Sequence, residues 1–369
     1  MAEKKIGISR DLIIHPGETI ADILEERGIT QTELAKRTGV SSAYISNVIA
    51  GKKDISSKFA MALEYALGVP KSFWLNLQAN YDAELLELNE EETVTDDERK
   101  ALSSLSEVVR YLRQRKILPE KQKKNETILT LRKIFCVSNI TNLAEIAPTG
   151  AFRVSAKAHV DPLVMGAWIR LCEILGNHKP AVHTQFSIDK VDELKKDLKD
   201  IMLNQNAELQ KDIAEVLSSY GIKFSMVKNF RGAPVHGYIS LDRDGSYHMV
   251  LTIRGAFADI FWFSLFHEIG HIVNGDISKV GTYIDMDAIE GNDKAKEAAA
   301  DMFAGNALLD ATDYKNFLAN GDYSIGVIER FAQTQSVAPY VVIGRLQREE
   351  IIPYAMYSDH KLRYKWADA

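Results

Sequence analysis

His267-Glu268-Ile269-Gly270-His271 sets two imidazoles four residues apart, with a carboxylate beside the first. On a helix, four residues turn through about 400°, so the rings stand ~40° apart and one turn along. Both can then reach a single metal ion at ~2.0–2.1 Å. Glu268 falls roughly 60° from His271, on the flank where a carboxylate can take a proton from a water that the ion acidifies toward a pKa of ~7. A chance occurrence of this spacing is expected about 0.015 times in a chain of this composition. The plainer alternative is a pair of core histidines satisfied by hydrogen bonds. Two polar rings and a carboxylate in an otherwise apolar helix are, however, costly to bury without a counter-charge.

Two histidines do not complete a catalytic site, which needs a third protein ligand and an open position. The downstream acids are Asp276, Asp285, Asp287, Glu290, Glu297 and Asp301. Lys296 to Ala304 is strongly helical, and its alanines permit close approach to another helix. Glu297 and Asp301 share one face of it. Glu297 is the expected third ligand, with Glu290 as runner-up. Asp301 is expected to accept a hydrogen bond from a ligating histidine and fix its tautomer. Tyr283, His236, His248 and Arg254 are candidate oxyanion donors, none singled out by spacing.

The elements that must position these groups are legible in outline. Phe257 to Val273 is apolar almost all round and reads as a helix buried on every side. Before it, residues 222–224, 236–240 and 247–253 read as short strands of a small antiparallel sheet, with Asp244-Gly245 as a hairpin turn. Phe261 to Asp276, followed by the helix from Glu297 to Ala304, resembles the ImmA/IrrE family of zinc metalloendopeptidases, over about 220 to 345. The resemblance implies a zincin-like domain and a Zn2+ cofactor. It makes His267, His271 and Glu297 the ligands, Glu268 the general base, and a helix-turn-helix repressor a possible kind of substrate. Where the family often has Glu-x-Glu-Ala-Asn, this chain reads Glu297-Ala298-Ala299-Ala300-Asp301.

A second constellation lies near the N-terminus. In Gln31 to Gly51, Ala35 is small where two helices cross, Gly39 permits a left-handed turn, and Val40, Ile45 and Val48 form a shared core. This pattern leaves Ser41, Ser42, Tyr44, Ser46 and Asn47 on the outward, N-terminal part of the second helix, where a recognition helix presents groups to the major groove. Gln31 and Thr32 at the preceding helix start, and Lys52 and Lys53 after the recognition helix, are candidate phosphate contacts. Tyr44 can equally pack inward. From His15-Pro16-Gly17-Glu18 through Trp74 the chain resembles the HigA/VapI branch of XRE, lambda-repressor-like antitoxins and regulators. The resemblance implies operator DNA as a partner and, by analogy, a homodimer on paired half-sites. Segments Ala151 to Ser155 and Gly166 to Arg170 also look like HigA-type regulators fused to an ImmA/IrrE domain. Ile325 to Leu346, despite its helix-turn-helix look, is expected to belong to the peptidase domain.

The chain has 369 residues, and 45 basic against 51 acidic residues give a net charge of −6. That excludes a protein that coats nucleic acid by bulk charge, so any DNA contact must be local. Lys36, Arg37, Lys52, Lys53 and Lys58 against Asp54 supply such a local surplus. Two cysteines, Cys136 and Cys172, cannot form a disulfide framework, and with no secretory leader they suggest a cytoplasmic protein. Ala256 to Phe266, interrupted by Asp259, is far short of a membrane span.

The expected architecture is α+β. An all-α helix-turn-helix domain of about five helices occupies 1–80, with Thr30, Ser41 and Ser56 as N-caps. A charged linker or helical connector is expected over 81–124, because 82–98 is acidic and 110–124 basic. The basic stretch reads as a solvated helix face before a nucleic-acid patch. A helical middle region spans 125–219 and the zinc peptidase domain 220–369. The function expected is a DNA-binding transcriptional regulator whose peptidase domain cleaves itself, a repressor or a toxin partner. The competing expectation is an antitoxin whose metal domain senses or docks a partner without proteolysis.

Overall fold

The computed structural model describes residues 13–146, 160–177, 182, 184–206, 208–253, 255–277, 282–286 and 293–366. They divide into two compact units, residues 1–95 and 96–369.

Among the described residues the first unit holds five α-helices: α1 (Pro16–Glu26), α2 (Gln31–Thr38), α3 (Ser42–Ile49), α4 (Ser57–Leu67) and α5 (Lys71–Leu88). Each of the expected caps forms. The hydroxyls of Thr30, Ser41 and Ser56 accept hydrogen bonds from the backbone N–H of Glu33, Tyr44 and Phe59 at 3.1, 3.1 and 3.2 Å. Gly39 closes α2 in the left-handed region at φ 71°. Ile20, Leu24, Leu34, Ala35, Ile45, Val48, Phe59, Leu63 and Trp74 form one core. Gly17 brings α1 against α3, since a Cβ there would stand 2.0 Å from the Val48 carbonyl oxygen.

The acidic tract 82–98 carries the boundary between the two units but is not an extended tether. α5 continues through it to Leu88, a 3-10 turn covers Glu90–Thr93, and a new helix starts at Asp96. Glu98 is fully buried. It accepts hydrogen bonds from Arg132 Nε at 2.9 Å, from Arg132 Nη2 at 2.6 Å and from the Ile140 N–H at 3.1 Å. A run of like charges suggests a solvated tether only when the charges lack partners, and here a cation 34 residues away binds one of them. The boundary therefore falls after Thr95, and 81–124 does not form one connector.

The separate middle region likewise merges with the C-terminal part of the chain. Leu194, Leu198 and Met202 of helix Val191–Leu203, and Ile213 and Leu217 of helix Leu209–Ser219, share a core with Phe266 and Ile269 of helix Ala258–Val273. The basic stretch begins on helix Ser106–Gln114, which buries Val108, Val109, Tyr111 and Leu112, as a solvated face requires. Ile328 and Ala332 of helix Ile325–Thr334, with Val342, Ile343 and Leu346 of helix Pro339–Arg348, complete the same core. That placement agrees with their expected membership of the C-terminal domain. Ala151 to Ser155 lies outside the described residues.

Four strands form one sheet: β1 (Ile222–Met226), β2 (Val235–Leu241), β3 (Tyr247–Leu251) and β4 (Thr282–Met286), in the order β1-β3-β2-β4. The turn at Asp242 to Ser246 joins β2 and β3 as a hairpin, Asp242 donating its N–H to Ser246 at 2.9 Å. The sheet is mixed, not wholly antiparallel. β1 lies outside the hairpin against β3 and runs parallel to it, while β4 pairs antiparallel with β2. The β2–β4 register shifts between Val235 and Gly237, which leaves His236 as the extra residue of a bulge.

Candidate functional site

Helix Ala258–Val273 buries Phe261, Trp262, Leu265, Phe266, Ile269 and Ile272, and His267, Glu268 and His271 are buried with them. Helix Asp293–Leu308 crosses it at Gly270, where a Cβ would lie 3.0 Å from the Ala300 Cα. This small-residue crossing brings Glu297 over the two imidazoles. His267 Nε2 stands 3.0 Å from His271 Nε2 and 3.1 Å from Glu297 Oε2, and His271 Nε2 is 3.7 Å from Glu297 Oε1. Ligand atoms of the three residues all lie within 4.8 Å of one another.

The opposite edges of both rings are held by carboxylates. His267 donates from Nδ1 to Asp301 Oδ1 at 2.9 Å, and His271 from Nδ1 to Asp276 Oδ2 at 2.7 Å. In that tautomer both Nε2 atoms carry lone pairs and lie 3.0 Å apart, with the Glu297 carboxylate beside them. Three electron-pair donors converging in a buried site suit a divalent cation, and two nitrogens with one carboxylate oxygen suit zinc. Burial pushes His271 below its ordinary 6.5, against the raising effect of Asp276, and so favours the neutral ligand form. Burial would raise Asp301, but the His267 bond and the Arg348 cation outweigh it and hold the carboxyl below its ordinary range.

Glu268 lies against β2. A Cβ on Gly237 would sit 1.6 Å from Glu268 Oε1, so the absence of that side chain makes room for the carboxylate. His236, on the bulge, lines a cleft of about 790 Å³ together with His267, Glu297, Asp301 and Arg348. Arg348 pairs with Asp301 Oδ2 at 2.9 Å, and its guanidinium lies 4.4 Å from the Phe263 ring centre.

His267, His271, Glu297 and Asp301 thus come together as expected from the sequence, while Glu268, buried beside His267 in the chain, has its carboxylate against Gly237. The runner-up ligand Glu290 and the side chain of Tyr283 lie outside the described residues, as does Arg254. His248 is a core residue, its Nε2 3.1 Å from Ser225 Oγ and its ring over the backbone of Gly176. Asp276 and Arg348 were not assigned roles from sequence. Asp276 carried a weak signal, five residues after His271, whereas Arg348 carried none.

In the first unit, Gln31, Thr32, Ser42, Ser46, Lys52 and Lys53 are exposed. Ser41 is also exposed, but its hydroxyl caps α3. Tyr44 packs inward, edge-on to Phe59 at 5.1 Å, with Lys53 Nζ 5.2 Å from its ring centre. Asn47 is half-buried and its carbonyl accepts from the Lys52 N–H at 2.8 Å.

Residues 20–74 match the Helix-turn-helix family model. Virulence-associated protein A' of Dichelobacter nodosus is 45% identical over 69 residues, which is 18% of this chain and 60% of that protein. Virulence-associated protein I of the same organism is 32% identical over 75 residues, covering 20% of this chain and 69% of that protein. The chain belongs to this helix-turn-helix family. Among solved structures, an addiction module antidote protein of a HigA family from Coxiella burnetii is 31% identical, covering 22% of this chain and 95% of that one, with TM-score 0.21. The Pseudomonas aeruginosa antitoxin HigA with higBA promoter is 30% identical, covering 21% and 88%, also with TM-score 0.21. The helix-turn-helix expected from the sequence thus stands over residues 20–74 on the family model and the curated relatives. Among the described residues no helix is long and apolar enough to cross a membrane.

Proposed function

We propose that this chain is a DNA-binding transcriptional regulator of the HigA-like kind whose C-terminal unit is a zinc-dependent endopeptidase acting on a protein target. The observation that carries the peptidase reading is the convergence of His267, His271 and Glu297, two of which, His267 and Glu297, line the cleft, with Glu268 next to His267 in the chain and fully buried. Zinc held by these three residues would supply Lewis acidity and a water acidic enough to be deprotonated near neutral pH. Glu268, next to the first histidine, would serve as the general base, its carboxylate holding and passing on a proton. Asp301 and Asp276 keep both imidazoles in the ligand tautomer. The unit so described would be zincin-like.

The N-terminal unit reads an operator through Ser42 and Ser46 on the outward face of α3, with Gln31, Thr32, Lys52 and Lys53 on the backbone phosphates. A homodimer places two such helices on paired half-sites. The substrate is this chain, a separate repressor or a toxin partner. Full-length protein incubated with zinc and each candidate partner, with and without chelator, tests the reading. New termini that appear only with metal, and are lost in Glu268→Gln while zinc and operator binding persist, support it. Equal cleavage by both forms overturns the assigned base.

The antitoxin names of the similar structures favour a second reading, in which the metal domain docks or senses a toxin and hydrolyses nothing. An intact chain and partner under every condition, together with a zinc-dependent complex, would select it.

A further inference from the structure

The two carboxylates that hold the ligand histidines differ in their surroundings. The Asp276 side chain is 9% exposed, whereas that of Asp301 is 41% exposed. Burial alone confines Asp276, because turning it away from His271 would leave a charged group unsatisfied in the interior. Asp301 has no such constraint, since water can replace His267 as its partner at little cost. A second anchor is therefore needed to keep Oδ1 on the imidazole. Arg348, at the end of helix Pro339–Arg348, supplies one by binding Oδ2 at 2.9 Å. Its side chain is 56% exposed, and its guanidinium lies 4.4 Å from the ring centre of Phe263, one turn before His267 on the motif helix.

We propose that Arg348 is a positioning residue of the metal centre, holding Asp301 on His267 and so setting how tightly the site retains zinc. This rests on the metal reading above. A planar fork that stacks on a ring and binds a carboxylate is a task for arginine, and lysine performs only the charge part of it. The helix that ends the core then contributes to metal retention without offering a ligand.

The test is zinc affinity of the full chain, measured by competition with a chromogenic chelator, for the wild type, R348A, R348K, D301A and the double variant R348A/D301A. Loss of an outer hydrogen-bond partner typically weakens a metal site about 10- to 100-fold. We expect about tenfold from R348A, partial recovery in R348K, and no further loss when R348A is added to D301A. Circular dichroism checks that each variant folds, and R348Q takes the place of R348A if the latter does not. Wild-type affinity in R348A, or the same loss with and without Asp301, overturns the proposal. A wild type that binds no zinc overturns the metal centre itself, a different result from zinc held equally by every variant.

Discussion

His271 donates its Nδ1 proton to Asp276 at 2.7 Å, and the acceptor stands just beyond the end of the same helix. The chain therefore leaves its buried helix and supplies, within five residues, the group that orients its second imidazole. Asp276→Asn should weaken zinc binding about 10- to 100-fold. Chelator competition on the folded variant measures this, and an unchanged dissociation constant would remove Asp276 from the centre.

Gly237 tests the position of the proposed base, Glu268. Alanine there would drive a methyl group into Glu268 Oε1, 1.6 Å away before relaxation. We expect a cost of about 1–3 kcal/mol in urea unfolding from overpacking. A displaced Glu268 should lower any zinc-dependent cleavage about 100-fold, a size set by the sensitivity of proton transfer to misplacement on the order of 1 Å. Zinc affinity should change much less. Unfolding and cleavage assays on the same preparation separate the two effects.

The depressed His271 pKa gives the metal-stripped protein a predictable pH response. Burial, the largest cause, disfavours the charged ring in the folded state relative to the ordinary value of 6.5. The unfolded chain then binds more protons, so the His271 contribution is full above pH 6.5 and is lost as pH falls through and below it. Melting temperature of chelator-treated protein should decline from pH 7.5 to 5.5. His271→Gln should flatten that slope, and identical slopes in both proteins would refute the assignment.

The proposed DNA contacts predict a salt signature. Lys52→Ala with Lys53→Ala should weaken operator binding nearly uniformly across sequences and reduce the salt slope by about 2. Fluorescence anisotropy titrations between low and physiological salt measure it. An unaltered slope would place both lysines off the phosphates.

Arg132→Ala should destabilise the second unit by about 3–5 kcal/mol, because it removes the two guanidinium hydrogen bonds to the buried Glu98 carboxylate. Urea unfolding followed by intrinsic fluorescence reports the change. A cost within the range of a surface substitution would place Glu98 in contact with water.

How much of this was legible in the sequence depends on the distance over which each signal acts. The His267/His271 spacing, the caps at Thr30, Ser41 and Ser56, and the hairpin at Asp244-Gly245 are local rules, and they read correctly. Glu297 was legible because its helix is alanine-rich at the face that must approach Gly270. The roles of Arg348 and Gly237 were not, since each depends on a contact between elements far apart in the chain. β1 was legible as a strand, but its parallel direction is set by which edge of the hairpin it joins. The acidic tract misled for a related reason: Glu98 is neutralised by Arg132, and nothing near it in sequence announces that partner.

That tract, 82–98, is wound into regular backbone for most of its length, and Val94 within it is packed away from solvent. Under the proposal that the chain is its own substrate, scission anywhere in it would wait on transient local melting, because a peptidase threads an extended stretch. The pace of such a cut would follow the opening equilibrium of the folded segment, and an agent that tightened that segment would delay the severing of one half of the molecule from the other without touching the blade.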